Sequence, residues 1–101
     1  MGSAAVTPLA KAVKDKGNEG GVRRKAAEAL GALGADAQPA VPTLVAALKD
    51  PEVRTEAAKA LGNMGPAAKS AAPALAEAAK AKGKDKAFKS AAAEALKKVQ
   101  K

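Results

Sequence analysis

Two stretches of the chain decide its fold because they are nearly the same: residues 22–34 read VRRKAAEALGALG, and residues 53–65 read VRTEAAKALGNMG. The shift between them is 31 residues, and a third copy, FKSAAAEALKKV, begins at Phe88 after a shift of 35. Apolar residues recur in each copy at three- and four-residue spacings, which predicts an amphipathic helix with one apolar stripe. A period of this length is typical of stacked helical units. We call these three copies the A helices.

A second element alternates with the A helices. Residues 41–49 read VPTLVAALK and align with residues 72–80, APALAEAAK, and less well with residues 6–14, VTPLAKAVK. We call these copies the B helices. The pattern predicts an all-α fold with about six helices, stacked as antiparallel pairs in an α-solenoid. We expect one domain, 1–101, with B helices at 4–15, 39–49 and 67–81 and A helices at 21–33, 51–64 and 85–100.

Residues that start and stop helices support these boundaries. Asp50, Pro51 and Glu52 are expected to cap and open the second A helix, with proline in its first turn. Gly34 and Gly65 are expected in the left-handed conformation just beyond the ends of the first two A helices.

An acidic residue stands four positions before a cation at the start of each A helix. This spacing predicts an ion pair one turn apart within each helix, and the cations also offer a line of positive charge to an acidic partner. The three pairs are Glu19 with Arg23, Asp50 with Arg54, and Asp85 with Lys89.

The run DPEVRTEAAKALGNMG at residues 50–65, followed by a proline-containing second helix, resembles a HEAT repeat of the short, phycobilisome-lyase-like class. The resemblance covers nearly the whole chain and implies a HEAT-like superhelix whose B helices line a concave binding surface. Proteins of that class include protein-binding scaffolds, lyases, a metal-dependent hydroxylase and DNA-repair glycosylases. The resemblance therefore indicates the fold more strongly than the activity.

Composition argues against an enzyme. The chain has no His, Cys, Trp or Tyr, and Phe88 is its only aromatic residue. The usual general base, thiolate nucleophile and zinc ligands are therefore missing. The enzymes of the resembling class need aromatic clefts or His–Glu metal pairs, which this sequence lacks. We expect no catalytic residue, no cofactor and no metal ligand.

The surface that the B helices are expected to present is the candidate site for a protein partner. A scaffold that binds another protein there is the first functional hypothesis. The lysines in the last turns of the B helices are explained equally well as complements of the helix dipole. The candidate residues are Lys11, Lys14, Thr43, Ala46, Lys49, Ala74, Glu77 and Lys80.

Positive charge is concentrated at the C-terminal end. The net charge is +8 for the chain and +6 for residues 80–101. Nonspecific electrostatic binding of nucleic acid or an anionic surface is therefore the alternative function, although a solvated cap on the helical stack explains the same lysines. The scarcity of aromatic and Arg residues disfavours sequence-specific DNA recognition. The basic-end candidates are Lys82, Lys84, Lys86, Lys89, Lys97 and Lys98.

The chain has neither an apolar run of about 20 residues, as a membrane span requires, nor a secretory signal pattern. A cytoplasmic location is the default expectation. In the third A helix, Lys97 takes the place of the glycines at positions 31 and 62, which predicts that the helical array ends with this helix. At the other end of the chain, Met1 and Gly2 align with residues 64–65, as though a longer array had been cut. We expect a mostly monomeric protein, with head-to-tail association between half-repeats as the alternative.

Overall fold

A computed structural model of the chain describes residues 3–81 and 85–100. Within those ranges the protein is helical and has no strand. The expectations made for Met1, Gly2, Lys82 and Lys84 lie outside the described residues. The elements are α1 (Ser3–Lys14), α2 (Gly20–Leu33), α3 (Val41–Ala47), α4 (Arg54–Met64), α5 (Ala72–Lys80) and α6 (Lys86–Val99), with 3-10 segments at Gly34–Ala40 and Gly65–Ala71.

The helices in the described ranges are less uniform than the sequence predicts. Four of them, α1, α2, α4 and α6, have 11 to 14 residues, but α3 has seven and α5 has nine. The expected B helices at 39–49 and 67–81 begin as 3-10 segments and become α-helical only at Val41 and Ala72. Pro39 and Pro66 lie in those segments and have no backbone N–H, so they cannot complete an α-helical hydrogen-bond ladder.

The second A helix also begins later than expected, at Arg54 and not at residue 51. The Asp50 carboxylate accepts a hydrogen bond from the Glu52 backbone N–H at 3.1 Å, and the Asp50 carbonyl accepts one from Val53 at 3.0 Å. These two hydrogen bonds hold residues 50–53 in a turn conformation. The acid at this boundary therefore caps a turn that leads into the helix.

Gly34 and Gly65 end α2 and α4 with positive φ angles of 61° and 62°, as the sequence predicts. Their ψ angles, −135° and −142°, place them outside the left-handed helical region, in a conformation that residues with a Cβ rarely adopt. This backbone turns the chain from each A helix directly into the following 3-10 segment.

The A helices contact one another in sequence order, α2 with α4 and α4 with α6, while α1, α3 and α5 each contact the A helix that follows them. Alanine supplies much of the buried surface, and one fully buried leucine anchors each of four consecutive elements: Leu30, Leu44, Leu61 and Leu75. The described residues extend over 35 × 31 × 16 Å. None of their helices has the length and apolarity to cross a bilayer.

Glycine lets the A helices approach closely. A Cβ built on Gly31 of α2 would lie 2.8 Å from the Cα of Ala60 in α4, and one built on Gly62 of α4 would lie 3.0 Å from the Cα of Ala95 in α6. The first distance is shorter than real Cβ atoms show, and the second would require the neighbouring helix to shift by a few tenths of an ångström. The repeated glycine thus sets the separation of neighbouring A helices.

Candidate partner-binding groove

The C-terminal ends of α1 and α3 border a groove that we call the B-end groove. Its volume is about 380 Å³, and four of the candidate residues line it: Lys14, Thr43, Ala46 and Lys49. The groove forms where two B helices end beside the turn that leads into α4. The structure therefore brings half of the candidate partner-binding residues to one place. The remaining lining residues are Val13, Lys16, Arg23, Ala47, Asp50 and Pro51.

The other four candidates lie elsewhere. Lys11 is exposed on α1 without lining the B-end groove, and Ala74 is half-buried against the core. Glu77 and Lys80 are exposed on α5, one helix pair further along the chain. The B-helix surface consequently offers one groove between the first two pairs and a separate exposed strip on α5.

The three lysines of the groove make no ion pair with acids of the described chain. All three, Lys14, Lys16 and Lys49, are exposed. Ala46 and Pro51 add small apolar surface between them. This combination suits a ligand that carries carboxylates beside small apolar groups.

A buried arginine forms the base of the groove. The Arg23 side chain is 6% exposed and pairs with Asp50, and its Nε donates to the carbonyl of Val13 at 3.0 Å. That carbonyl lies in the last turn of α1, where helical partners are absent. Arg23 therefore joins α1 and α2 to the turn that precedes α4.

The ion pair repeats in the next unit. The Arg54 guanidinium reaches the Asp85 carboxylate at 3.0 Å, and Asp85 caps α6 by accepting from the Phe88 backbone N–H at 3.0 Å. Arg54 also lies over the Phe88 ring, 4.8 Å from its centre. Such a cation–π contact adds to the attraction between the two helices.

These contacts correct the expected ion pairs one turn apart. Arg23 reaches the Asp 27 residues ahead of it and Arg54 reaches the Asp 31 residues ahead, so each pair joins consecutive units. In the described chain, Glu19 does not pair with Arg23, and Asp85 does not pair with Lys89. Asp50, which caps the turn before α4, and Asp85, which caps α6, each accept a local backbone N–H with one carboxylate oxygen and the arginine of the preceding unit with the other.

The same contacts hold both carboxyl groups in their charged form. The hydrogen bond from Arg23, helped by the Glu52 backbone N–H, lowers the pKa of Asp50 below its ordinary value. The pKa of Asp85 is lowered by the Phe88 backbone N–H and then by Arg54. In the folded protein both carboxylates therefore stay ionised at lower pH than they would in the unfolded chain.

Sequence reasoning missed six lining residues of the groove, of which three are charged: Lys16, Arg23 and Asp50. Lys16 lies beyond the end of α1, where helical periodicity no longer assigns a residue to a face. The repetition of Arg and Asp at the repeat period is the signal that points to the other two, once pairing between units is considered.

The described lysines of the basic end are divided along α6. Lys86 and Lys89 lie in its first turns, while Lys97 and Lys98 lie in its last turn. Eleven residues separate Lys86 from Lys97, which corresponds to roughly 16 Å of helix. Lys98 lines another groove, between α4 and α6, together with Lys59 and Glu94. The described part of α6 does not gather these lysines into one patch.

Comparison with known proteins identifies the repeat. The model of a family described as PBS lyase HEAT-like repeat matches residues 22–50 and, separately, residues 53–81. Each match covers an A helix and the B element that follows it. No curated protein and no solved structure matches the chain.

Proposed function

Because the chain belongs to the PBS lyase HEAT-like repeat family, we propose that it is a non-enzymatic α-solenoid scaffold that binds another protein through its B-helix surface. HEAT-like repeats typically serve as protein-interaction scaffolds. Residues 1–101 form one such domain in this proposal. The lack of His and Cys in the sequence supports a role without catalysis.

The B-end groove is the observation that carries this proposal. It brings exposed Lys14 and Lys49 together with Thr43 and Ala46. Small side chains leave room for a partner's side chains, and the flanking lysines attract carboxylates. The favoured ligand is therefore an acidic segment of another protein, with small apolar residues between its acidic ones. Glu77 and Lys80 on α5 extend the surface for a longer segment.

Site-specific photo-crosslinking tests the proposal. A photoreactive amino acid is placed at Thr43, in the groove, and in a matched variant at Glu28, which is exposed on α2. Both variants are exposed to an extract of the source cells and the cross-linked proteins are identified. A protein that is captured at Thr43 and not at Glu28, and that binds the unlabelled chain after purification, is the expected result.

Charge reversal then tests the mode of binding. Lys14→Glu/Lys49→Glu is expected to weaken binding of that purified protein at least tenfold, whereas Lys59→Glu/Lys69→Glu, which changes exposed lysines away from the B-end groove by the same charge, is expected to leave it nearly unchanged. Equal effects of the two double variants would contradict a role for the groove. Circular dichroism of the two double variants and the unaltered chain shows whether the fold is retained.

The electrostatic alternative is tested with a short DNA duplex. If the basic end binds phosphates, affinity must fall steeply with salt and must drop when Lys97 and Lys98 are replaced by glutamine. The separation of the described lysines along α6 favours the protein-binding scaffold over this alternative.

A further inference from the structure

A third groove lies at the N-terminal end of the helical array, between α1 and α2, and we call it the end groove. Its volume is about 610 Å³. Val22, one of its lining residues, is the one exposed large hydrophobic side chain among the described residues, with 51% of its surface exposed. The groove is lined by Leu9, Ala12, Glu19, Gly21, Val22, Lys25 and Ala26.

The repeats themselves show that this surface is built to be covered. Val22 aligns with Val53, the residue before α4, and with Phe88 of α6, whose exposures are 0% and 5%. Ala29 is half-buried, whereas its equivalents Ala60 and Ala95 are 1% and 2% exposed. The same two positions are therefore buried in the second and third A helices and more exposed in the first.

In the second and third A helices, a neighbouring helix packs over the buried alanine. On α4 it is α2, whose Gly31 lies against Ala60, and on α6 it is α4, whose Gly62 lies against Ala95. The position on α2 that corresponds to Ala60 and Ala95 is Ala29. A helix that covers α2 in the same way must therefore carry glycine where it crosses Ala29.

The ion pairs of the other two units indicate a second residue that a helix covering α2 must carry. Asp50 and Asp85 each pair with an arginine of the covering helix, Arg23 and Arg54. Glu19 occupies the aligned position beside the end groove and makes no ion pair among the described residues. In both covering helices the arginine precedes the glycine by eight residues.

We propose that the end groove binds a helix of a partner protein in which arginine and glycine stand eight residues apart, docked as α2 docks on α4. Its glycine lies on Ala29 and its arginine pairs with Glu19. The chain's own α6 does not meet this requirement, because Lys89 and Lys97 occupy the two positions. The groove therefore selects a foreign helix over a second unaltered copy.

A variant of the chain itself supplies the probe. The donor carries Lys89→Arg, Lys97→Gly and Lys98→Asn, which restore the covering-helix residues on α6. It also carries Ala29→Leu, which obstructs the position beside its own end groove where the glycine of a covering helix must approach. The acceptor is the unaltered chain. Sedimentation velocity of the mixture is expected to show a one-to-one complex at concentrations where each protein alone is monomeric.

Two acceptor variants locate the contact. Ala29→Leu in the acceptor places a larger side chain where the glycine must approach, and it is expected to weaken the complex at least tenfold. Glu19→Gln removes the ion pair and is expected to weaken it about two- to fivefold. The matched control donor retains Lys97 and is expected not to bind.

Absence of a complex between a folded donor and the unaltered acceptor would overturn the proposal, as would a complex that Ala29→Leu does not weaken. Circular dichroism establishes that the donor is folded. A donor with Lys97→Ala retains helix propensity, but its Cβ would meet Ala29 as closely as a Cβ on Gly31 would meet Ala60. This donor is expected to bind at least tenfold more weakly than the glycine donor, and equal binding of the two folded donors would count against the proposal.

Discussion

The crossing of α2 and α4 can be tested by adding one methyl group. Gly31→Ala places a Cβ 2.8 Å from the Cα and 3.1 Å from the Cβ of Ala60. Ordinary van der Waals contact begins at 3.4 Å, so the two helices must separate locally by about 0.6 Å. The nearest atom belongs to a helix backbone, so no side-chain rotation relieves the overlap.

Two opposing effects determine how much Gly31→Ala changes the free energy of unfolding. Alanine is favoured over glycine inside a helix by about 1 kcal/mol, which would stabilise α2. Overpacking of a close contact costs about 1–3 kcal/mol. The expected net result is a loss of about 1 kcal/mol in the free energy of unfolding, or roughly 5 °C in melting temperature for a domain of this size.

Urea unfolding followed by circular dichroism measures this loss, with Gly21→Ala as the matched control. Gly21 lies in the same helix, but a Cβ added there meets no atom within 4 Å. Its replacement is therefore expected to leave stability unchanged or to raise it by up to about 1 kcal/mol. If Gly31→Ala is as stable as Gly21→Ala, the close crossing of α2 and α4 is refuted.

Two further predictions concern the ion pairs and the core. Because the pKa values of Asp50 and Asp85 are lowered on folding, their contribution to stability should be complete above the ordinary pKa of 3.8 and should disappear as pH falls through the lowered values. Urea unfolding at pH 6, 4 and 2.5 tests this, and the Asp50→Asn/Asp85→Asn variant should lose less stability over the same range; an unchanged pH dependence would contradict the assignment. Leu61→Ala removes a fully buried side chain and should lower the free energy of unfolding by about 2–5 kcal/mol, whereas Val22→Ala at an exposed site should lower it by less than about 1 kcal/mol. Equal losses would show that Leu61 is not in the core.

The sequence contained the order of the helices, because the apolar spacing of residues 22–34 recurs at 53–65 and again from Phe88. It also contained the close helix crossings, since Gly31 and Gly62 occur where a packing face would otherwise carry alanine. Both are local sequence patterns that recur at the repeat period, and such patterns can be recognised without knowledge of the tertiary structure.

The differences between the structure and the predictions made from the sequence have a common physical origin, which is the connections between helices. The B helix predicted at 39–49 begins instead within the 3-10 segment Gly34–Ala40, which starts at a positive-φ glycine and contains Pro39. The Arg23–Asp50 pair escaped local reasoning because its partners meet only after two helix pairs stack. Lys16 joined the B-end groove through a turn whose path no periodicity defines.

Arg23 and Asp50 line the B-end groove and also join the first helix pair to the second. A partner seated there would therefore touch an ion pair that joins the two units. Occupancy and resistance to unfolding then become thermodynamically linked, and the melting temperature must rise with the logarithm of free partner concentration once it exceeds the dissociation constant. Heating the protein in the presence of candidate acidic segments thus becomes a label-free search for the partner.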